Sequence, residues 1–236
     1  MEITMKKTLK IIATVFVFTV IGALIVRALI SNDKTVFDEF TVTEESKAAY
    51  AETGSLTVDT LDLKHFISMN GYFSAYSLYY VEETGELQVT VRYNDSALEY
   101  TKTKKHEDIT FMLLKRVESV DLTGKSVSDI DEENQFKLYD GEYYLGETVE
   151  AKSRWGLYNY RKLIFKNVEL SGDDFNLDDL AVVMAPKGAV VPTADDDALT
   201  RKEAYDTYFD MQNVHFSEQP FEEYKLSKGD KKALAE

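Results

Sequence analysis

Histidine, acidic and aromatic side chains are the residues here whose chemistry would be distinctive. His65, His106 and His215 stand far apart, and none belongs to a spacing such as HExxH that would set two imidazoles on one zinc ion. Gly124-Lys125-Ser126 ends like a phosphate-binding loop, but Ser119 occupies the position where the first glycine of that loop is needed. There is no GxSxG elbow and no GxGxxG turn, and the absence of cysteine removes any thiol nucleophile. No cofactor, metal or catalytic residue is therefore expected.

Two acidic alternations imitate the start of a calcium loop: Asp129, Asp131 and Glu133, and again Asp174, Asn176 and Asp178. Both lack the later requirements. The sixth positions are Asn134 and Asp179 in place of glycine, and the twelfth are Asp140 and Ala185 in place of a bidentate glutamate. Solvated acidic turns are the default reading, with calcium as the one cation they would suit. Paired Asp and Glu residues are also the raw material of a glycosidase, although sequence spacing does not give the carboxylate separation on which that chemistry depends.

The aromatic supply is 15 Tyr, 13 Phe and 1 Trp. Tyr72, Tyr76 and Tyr80 are expected on one strand face, with Phe73 and Tyr79 on the other, and Tyr139, Tyr143, Tyr144, Trp155, Tyr158 and Tyr160 form a second concentration. Strand cores use such residues heavily. Tyrosine and tryptophan also make flat contact surfaces with a polar edge. Arg154, Trp155, Tyr158, Tyr160 and Arg161 are accordingly the candidate recognition surface.

The elements that would position these residues are short and β-rich. Tyr72 to Val81, a turn at Glu82 to Gly85, and Glu86 to Tyr93 predict a hairpin, since Leu87, Val89 and Val91 alternate with Gln88, Thr90 and Arg92. Further strands are expected over 56–63, 109–117, 136–139, 142–151, 156–168 and 180–185. Without long helices between them, the expected fold is mainly β, an antiparallel immunoglobulin-like β-sandwich over residues 55–192. Thr200 and Glu203 make a capping-box pattern ahead of Ala204, Tyr205, Tyr208 and Phe209, predicting a C-terminal helix over 201–212 that docks on the sandwich. The polar end of the 193–236 segment, from Lys225, reads as frayed.

Ahead of the sandwich, residues 11–26 carry no charge, and the apolar character resumes after Arg27 as far as Ile30. As a helix, 11–30 would reach about 30 Å, one membrane crossing. Lys6, Lys7 and Lys10 on the amino side of this transmembrane signal anchor place a basic tail, 1–10, in the cytoplasm and the rest of the chain outside it. Val26-Arg27-Ala28 is a poor cleavage site, which disfavours a removed signal peptide. Residues 31–54 read as a stalk containing a short helix that stops at Gly54.

With 27 basic against 42 acidic side chains and a net charge of −15, the surface repels nucleic acid. An exported domain without disulfides suits the envelope of a bacterium with a single membrane. These features predict a noncatalytic, single-pass membrane protein whose outer domain binds a protein, a peptide or a wall polymer in the cell envelope. An envelope hydrolase using paired carboxylates, or a structural assembly subunit, are the alternatives.

Overall fold

The computed structural model describes residues 14–23, 25, 39–61, 68–69, 73–118, 120, 132–154, 158–170, 179–193, 195–209 and 221–236. The chain divides into two units, Met1–Glu39 and Phe40–Glu236. In the first, residues 14–23 are helical (α1), with Val15, Phe16, Val17, Phe18, Val20 and Ile21 all exposed. Among the described residues no helix is long and apolar enough to cross a membrane. Positions 11–13, 24 and 26–30 of the expected anchor lie outside the described residues.

The second unit is built on β-hairpins. Strand β1 is Val58–Leu61, β2 Ser68–Met69, β3 Phe73–Val81, β4 Glu86–Tyr93, β5 Ile109–Arg116, β6 Gly141–Leu145, β7 Glu147–Arg154, β8 Tyr158–Phe165, β9 Leu180–Pro186 and β10 Glu222–Glu223. All pairings are antiparallel. The larger sheet runs β10-β1-β3-β4-β8-β7, with β2 also on β3, and the smaller runs β6-β5-β9. The helices after α1 are α2 Glu44–Thr53, α3 Ser96–Thr101, α4 Glu132–Gln135, α5 Ala198–Tyr208 and α6 Lys228–Leu234. The expected mainly β, sandwich-like arrangement with a short C-terminal helix is present.

Between the sheets lies the main core. Leu87, Val89, Val91 and Tyr93 of β4 meet Ile109, Phe111 and Leu113 of β5 and Leu180, Val182 and Met184 of β9. The opposite faces of β5 and β9 carry Met112, Leu114, Ala181, Val183 and Ala185, and α5 covers them with Tyr205 and Phe209. Residues 111–114 of β5 and 180–185 of β9 therefore read as unbroken apolar runs. Tyr205 and Phe209 stack at 5.8 Å, and Tyr143 meets Phe209 edge-on at 5.6 Å, placing Tyr139 and Tyr143 of the second aromatic concentration in this packing.

Local details shift several expected boundaries. In β3 a bulge between Ala75 and Ser77 changes the side-chain phase. Phe73, Ala75, Leu78 and Tyr80 then share the intersheet face, with Tyr79 and Val81 opposite, so Phe73 joins Tyr80 and not Tyr79. Residues 136–138 form a 3-10 turn after α4 and not a strand. The single strand expected over 142–151 is two strands in different sheets, separated by Gly146. Helix α5 starts at Ala198, because the Asp197 carboxylate accepts from the Thr200 amide and displaces Thr200 as cap.

The expected stalk is folded onto the domain from Phe40 onward. Phe40, Leu56, Val58, Tyr79, Val81 and Leu234 form an apolar cluster on the outer face of the larger sheet. Helix α2 is capped reciprocally by Thr43 and Ser46, and it stops at Gly54, whose φ of 73° favours glycine. Gln88 holds the arm by accepting from the Thr41 amide at 3.0 Å and donating to its carbonyl at 2.8 Å. Nor is the C-terminal tail frayed: β10 pairs with β1, and α6, capped by Ser227 and Asp230, buries Leu234 in the same cluster.

Glu86, beneath the arm, is 1% exposed and accepts from the Thr43 hydroxyl at 2.8 Å. Burial pushes its carboxyl above the usual 4.5, against the Thr43 hydrogen bond, with Glu45 raising it further and Lys166 lowering it. The folded state thus binds this proton more tightly than the unfolded state, and stability is lost as pH rises through the folded pKa. Glu86→Gln should melt higher than wild type at pH 7, the two curves converging as pH falls toward about 4.5.

Two glycines make a second test. A Cβ on Gly141 would lie 2.1 Å from the Lys115 carbonyl oxygen, whereas one on Gly229 would lie no nearer than 3.5 Å to the Ser227 hydroxyl. Urea denaturation should show Gly141→Ala losing about 3 kcal/mol. Gly229→Ala should stay within about 0.5 kcal/mol of wild type.

Candidate functional site

The free end of the β7–β8 hairpin lies beside two turns, one leading into α3 and one leading into β5. The pair Arg154–Tyr158 closes the ladder between β7 and β8. Trp155 lies in the connection, outside the described residues, as does the Arg154 side chain. Tyr158 is exposed, and the Arg92 guanidinium lies 4.6 Å from its ring centre. Exposed cation–aromatic contacts of this type contribute about 0.5–1 kcal/mol and hold the ring edge-fixed at the surface.

Tyr160 and Arg161 occupy a different environment from the one expected of a contact surface. Both are buried, on opposite faces of β8. Arg161 points between the sheets, where its Nη1 donates to the Ile109 carbonyl at 2.6 Å and its Nη2 to the His106 carbonyl. The guanidinium lies 5.5 Å from the Tyr93 ring centre and 5.9 Å from that of Phe111. A 3-10 turn at His106–Asp108 precedes β5, and Arg161 supplies donors to carbonyls there. Burial raises the Tyr93 phenol, with Arg161 opposing the shift.

Beside Arg161, the His106 imidazole packs against Tyr93 at 5.5 Å. Its Nε2 lies 3.0 Å from Asp95 Oδ1 and 3.2 Å from Asn159 Nδ2. Arg92, Asp95, His106, Tyr158 and Asn159 therefore make a mixed polar and aromatic surface from three separated segments. The imidazole is engaged by a carboxylate and an amide, and the hydroxyl of Ser96 is turned to Asn94 Oδ1.

Sequence spacing names Tyr158 as a candidate but gives no sign of Arg92, Asp95, His106 or Asn159 as its neighbours. The one local signal was Asn94-Asp95, which reads as a turn; the antiparallel register then brings that turn to β8 by pairing Tyr93 with Asn159. His65, His215, Asp129, Asp131, Asp174, Asn176 and Asp178 lie outside the described residues, as does the side chain of Glu133.

Among the described residues, acidic groups crowd chiefly at the other edge of the larger sheet, where Asp59 faces Glu223 directly across β1 and β10. Burial and then Glu223 push the Asp59 carboxyl up, while burial, Asp59 and Glu83 do the same to Glu82. Among those residues no group of three or more acidic or histidine side chains is arranged to hold a metal ion.

The fold and this surface define a mainly antiparallel, two-sheet β protein with an amino-terminal apolar helix. No family model, curated protein or solved structure matches the chain.

Arg161→Leu takes the guanidinium donors from the buried Ile109 carbonyl and from the His106 carbonyl, which keeps the Ile109 amide, and urea unfolding should register a loss of about 2 kcal/mol. Tyr158→Ala should cost less than about 1 kcal/mol, since its ring is exposed and its partner Arg92 keeps solvent contact. Equal losses from the two variants would remove the distinction between structural arginine and surface tyrosine.

Proposed function

We propose that the protein is a single-pass membrane protein whose outer domain is a noncatalytic binding or scaffolding module of the cell envelope, with Tyr158 and its neighbours as the contact region. The observation that carries the membrane part is α1: Phe16 and Phe18 are 68% and 70% exposed, and Val15, Val17, Val20 and Ile21 share that condition around the helix. A helix apolar on every side suits lipid, and Lys6, Lys7 and Lys10 before it suit the cytoplasmic side. Thr19 adds little polarity there, because its hydroxyl donates back to the Val15 carbonyl at 2.9 Å.

The outer domain is read as an immunoglobulin-like sandwich. Its consecutive order β3-β4-β8-β7 parallels strands A, B, E and D of that fold, and β6-β5-β9 parallels C′, C and F. No counterpart of strand G pairs with β9 among the described residues. The fold alone does not select a function. Binding is favoured by the exposed Tyr158–Arg92 pair beside Asp95, His106 and Asn159, a surface able to offer both ring stacking and directional hydrogen bonds.

The native chain has no cysteine, so one introduced at the exposed Thr148 gives a clean topology probe. In intact spheroplasts a membrane-impermeant maleimide should label Thr148→Cys, and the chain should stay in the membrane through an alkaline wash. Labelling only after lysis would overturn the orientation. A photo-crosslinking residue at position 158 should trap an envelope component, while the same probe at buried position 205 should not; equal or absent products would reject this contact region.

A further inference from the structure

Strand β7 is the long open edge of the larger sheet. Residues 147–153 are all exposed, and among the described residues only β8 pairs with this strand. The opposite edge is the two-residue strand β10, too short to offer a comparable ladder. Within a chain of net charge −15, β7 is locally neutral: Glu147 and Glu150 precede Lys152 and Arg154. Edge charges oppose indiscriminate strand pairing, but an acidic half followed by a basic half is complementary to itself when reversed.

We propose that β7 pairs antiparallel with β7 of a second copy of this chain, across a two-fold axis at Ala151. Backbone geometry selects the possible registers, because the outward N–H and C=O groups fall on alternate residues and two identical strands must bring residues of the same parity opposite each other. Centring the axis on Ala151 sets Glu150 opposite the second copy's Lys152, and Lys152 opposite its Glu150. Moving the axis by one residue brings Glu150 onto Glu150 or Lys152 onto Lys152. Charge therefore chooses one of the allowed registers.

The bulge between Thr148 and Glu150 limits the regular part of the edge to residues 150–154, so an axis at Ala151 leaves residues 150–152 of each strand in regular register. This favours a short, modest contact centred where the charges cross. Because the two-fold contact uses the same edge on both copies, the association closes as a dimer and does not propagate as a filament. The occupant is a second copy because Glu150 and Lys152 of one strand meet Lys152 and Glu150 of the other, with no need for another partner's charge pattern.

The test uses the full chain in detergent, with its natural lack of cysteine supporting single-site cross-linking. Opposed residues in an antiparallel pair have Cα atoms about 4.5–5.5 Å apart, within disulfide reach. Under copper-catalysed air oxidation, Ala151→Cys should give a covalent dimer, whereas Ser153→Cys, displaced from its symmetry mate along the strands, should remain monomeric.

Analytical ultracentrifugation should show concentration-dependent dimerisation of wild type, weakened at least about tenfold by Glu150→Lys or by Lys152→Glu. The double exchange should restore it to within about threefold of wild type, with circular dichroism checking that each variant is folded. A monomeric wild type, equal cross-linking at 151 and 153, or a double exchange that stays as weak as the single variants would overturn the proposal.

Discussion

Apolar side chains on both faces of β5 and β9 set the main constraint on this molecule. One face, with Phe111, Leu113, Val182 and Met184, is covered by the larger sheet; the other, with Met112, Leu114, Val183 and Ala185, packs under Tyr205 and Phe209 together with Val120 and Leu138. Burial of such side chains contributes roughly 1.5–3 kcal/mol each, so the helix over the smaller sheet is part of its stability. The larger sheet solves the same problem with its arm and α6, which cover Val58, Tyr79 and Val81. Two sheets and their outer coverings form one coupled packing problem.

Closing that packing requires polar groups in places that sequence patterning assigns to solvent. Gln88 looks like the exposed partner of alternating Leu87 and Val89, yet both ends of its amide bond Thr41. Arg161 looks like a surface charge beside an aromatic run, yet it binds the carbonyls of His106 and Ile109. Each is buried with partners, as an interior polar group needs to be. The exposed residues that remain near the β8 end, Tyr158 and Asp95 among them, owe their arrangement to this internal scaffold.

The repeating strand signals were legible because Leu87, Val89 and Val91 leave a strong period of two, and the docking of α5 was legible from Tyr205 and Phe209. A single inserted residue defeats such periodicity: the β3 bulge separates Phe73 from Tyr79, which were expected to share a face, and Gly146 divides one apparent strand between two sheets. Gly146 succeeds at this corner partly because its amide donates to the Phe111 carbonyl at 2.8 Å, while an added Cβ would meet the Phe165 ring at 2.9 Å. The polar tail after Lys225 hid its packing because only a few apolar residues, notably Leu226 and Leu234, reach the core. The surface around Tyr158 was least legible, since Arg92, Asp95 and His106 become its neighbours only through strand register and turn placement.

The shared cluster of Phe40, Leu56, Tyr79 and Leu234 also imposes an order on assembly during synthesis. The arm at Phe40 emerges long before α6, but part of its apolar seat is supplied by Leu234, and β1 gains its outer neighbour only when β10 arrives. A partly made domain therefore has an early segment waiting for a late one. The clasp ties the two ends of this unit together in time: the segment at Phe40 can reach its final setting only after the carboxyl-terminal helix has joined the fold.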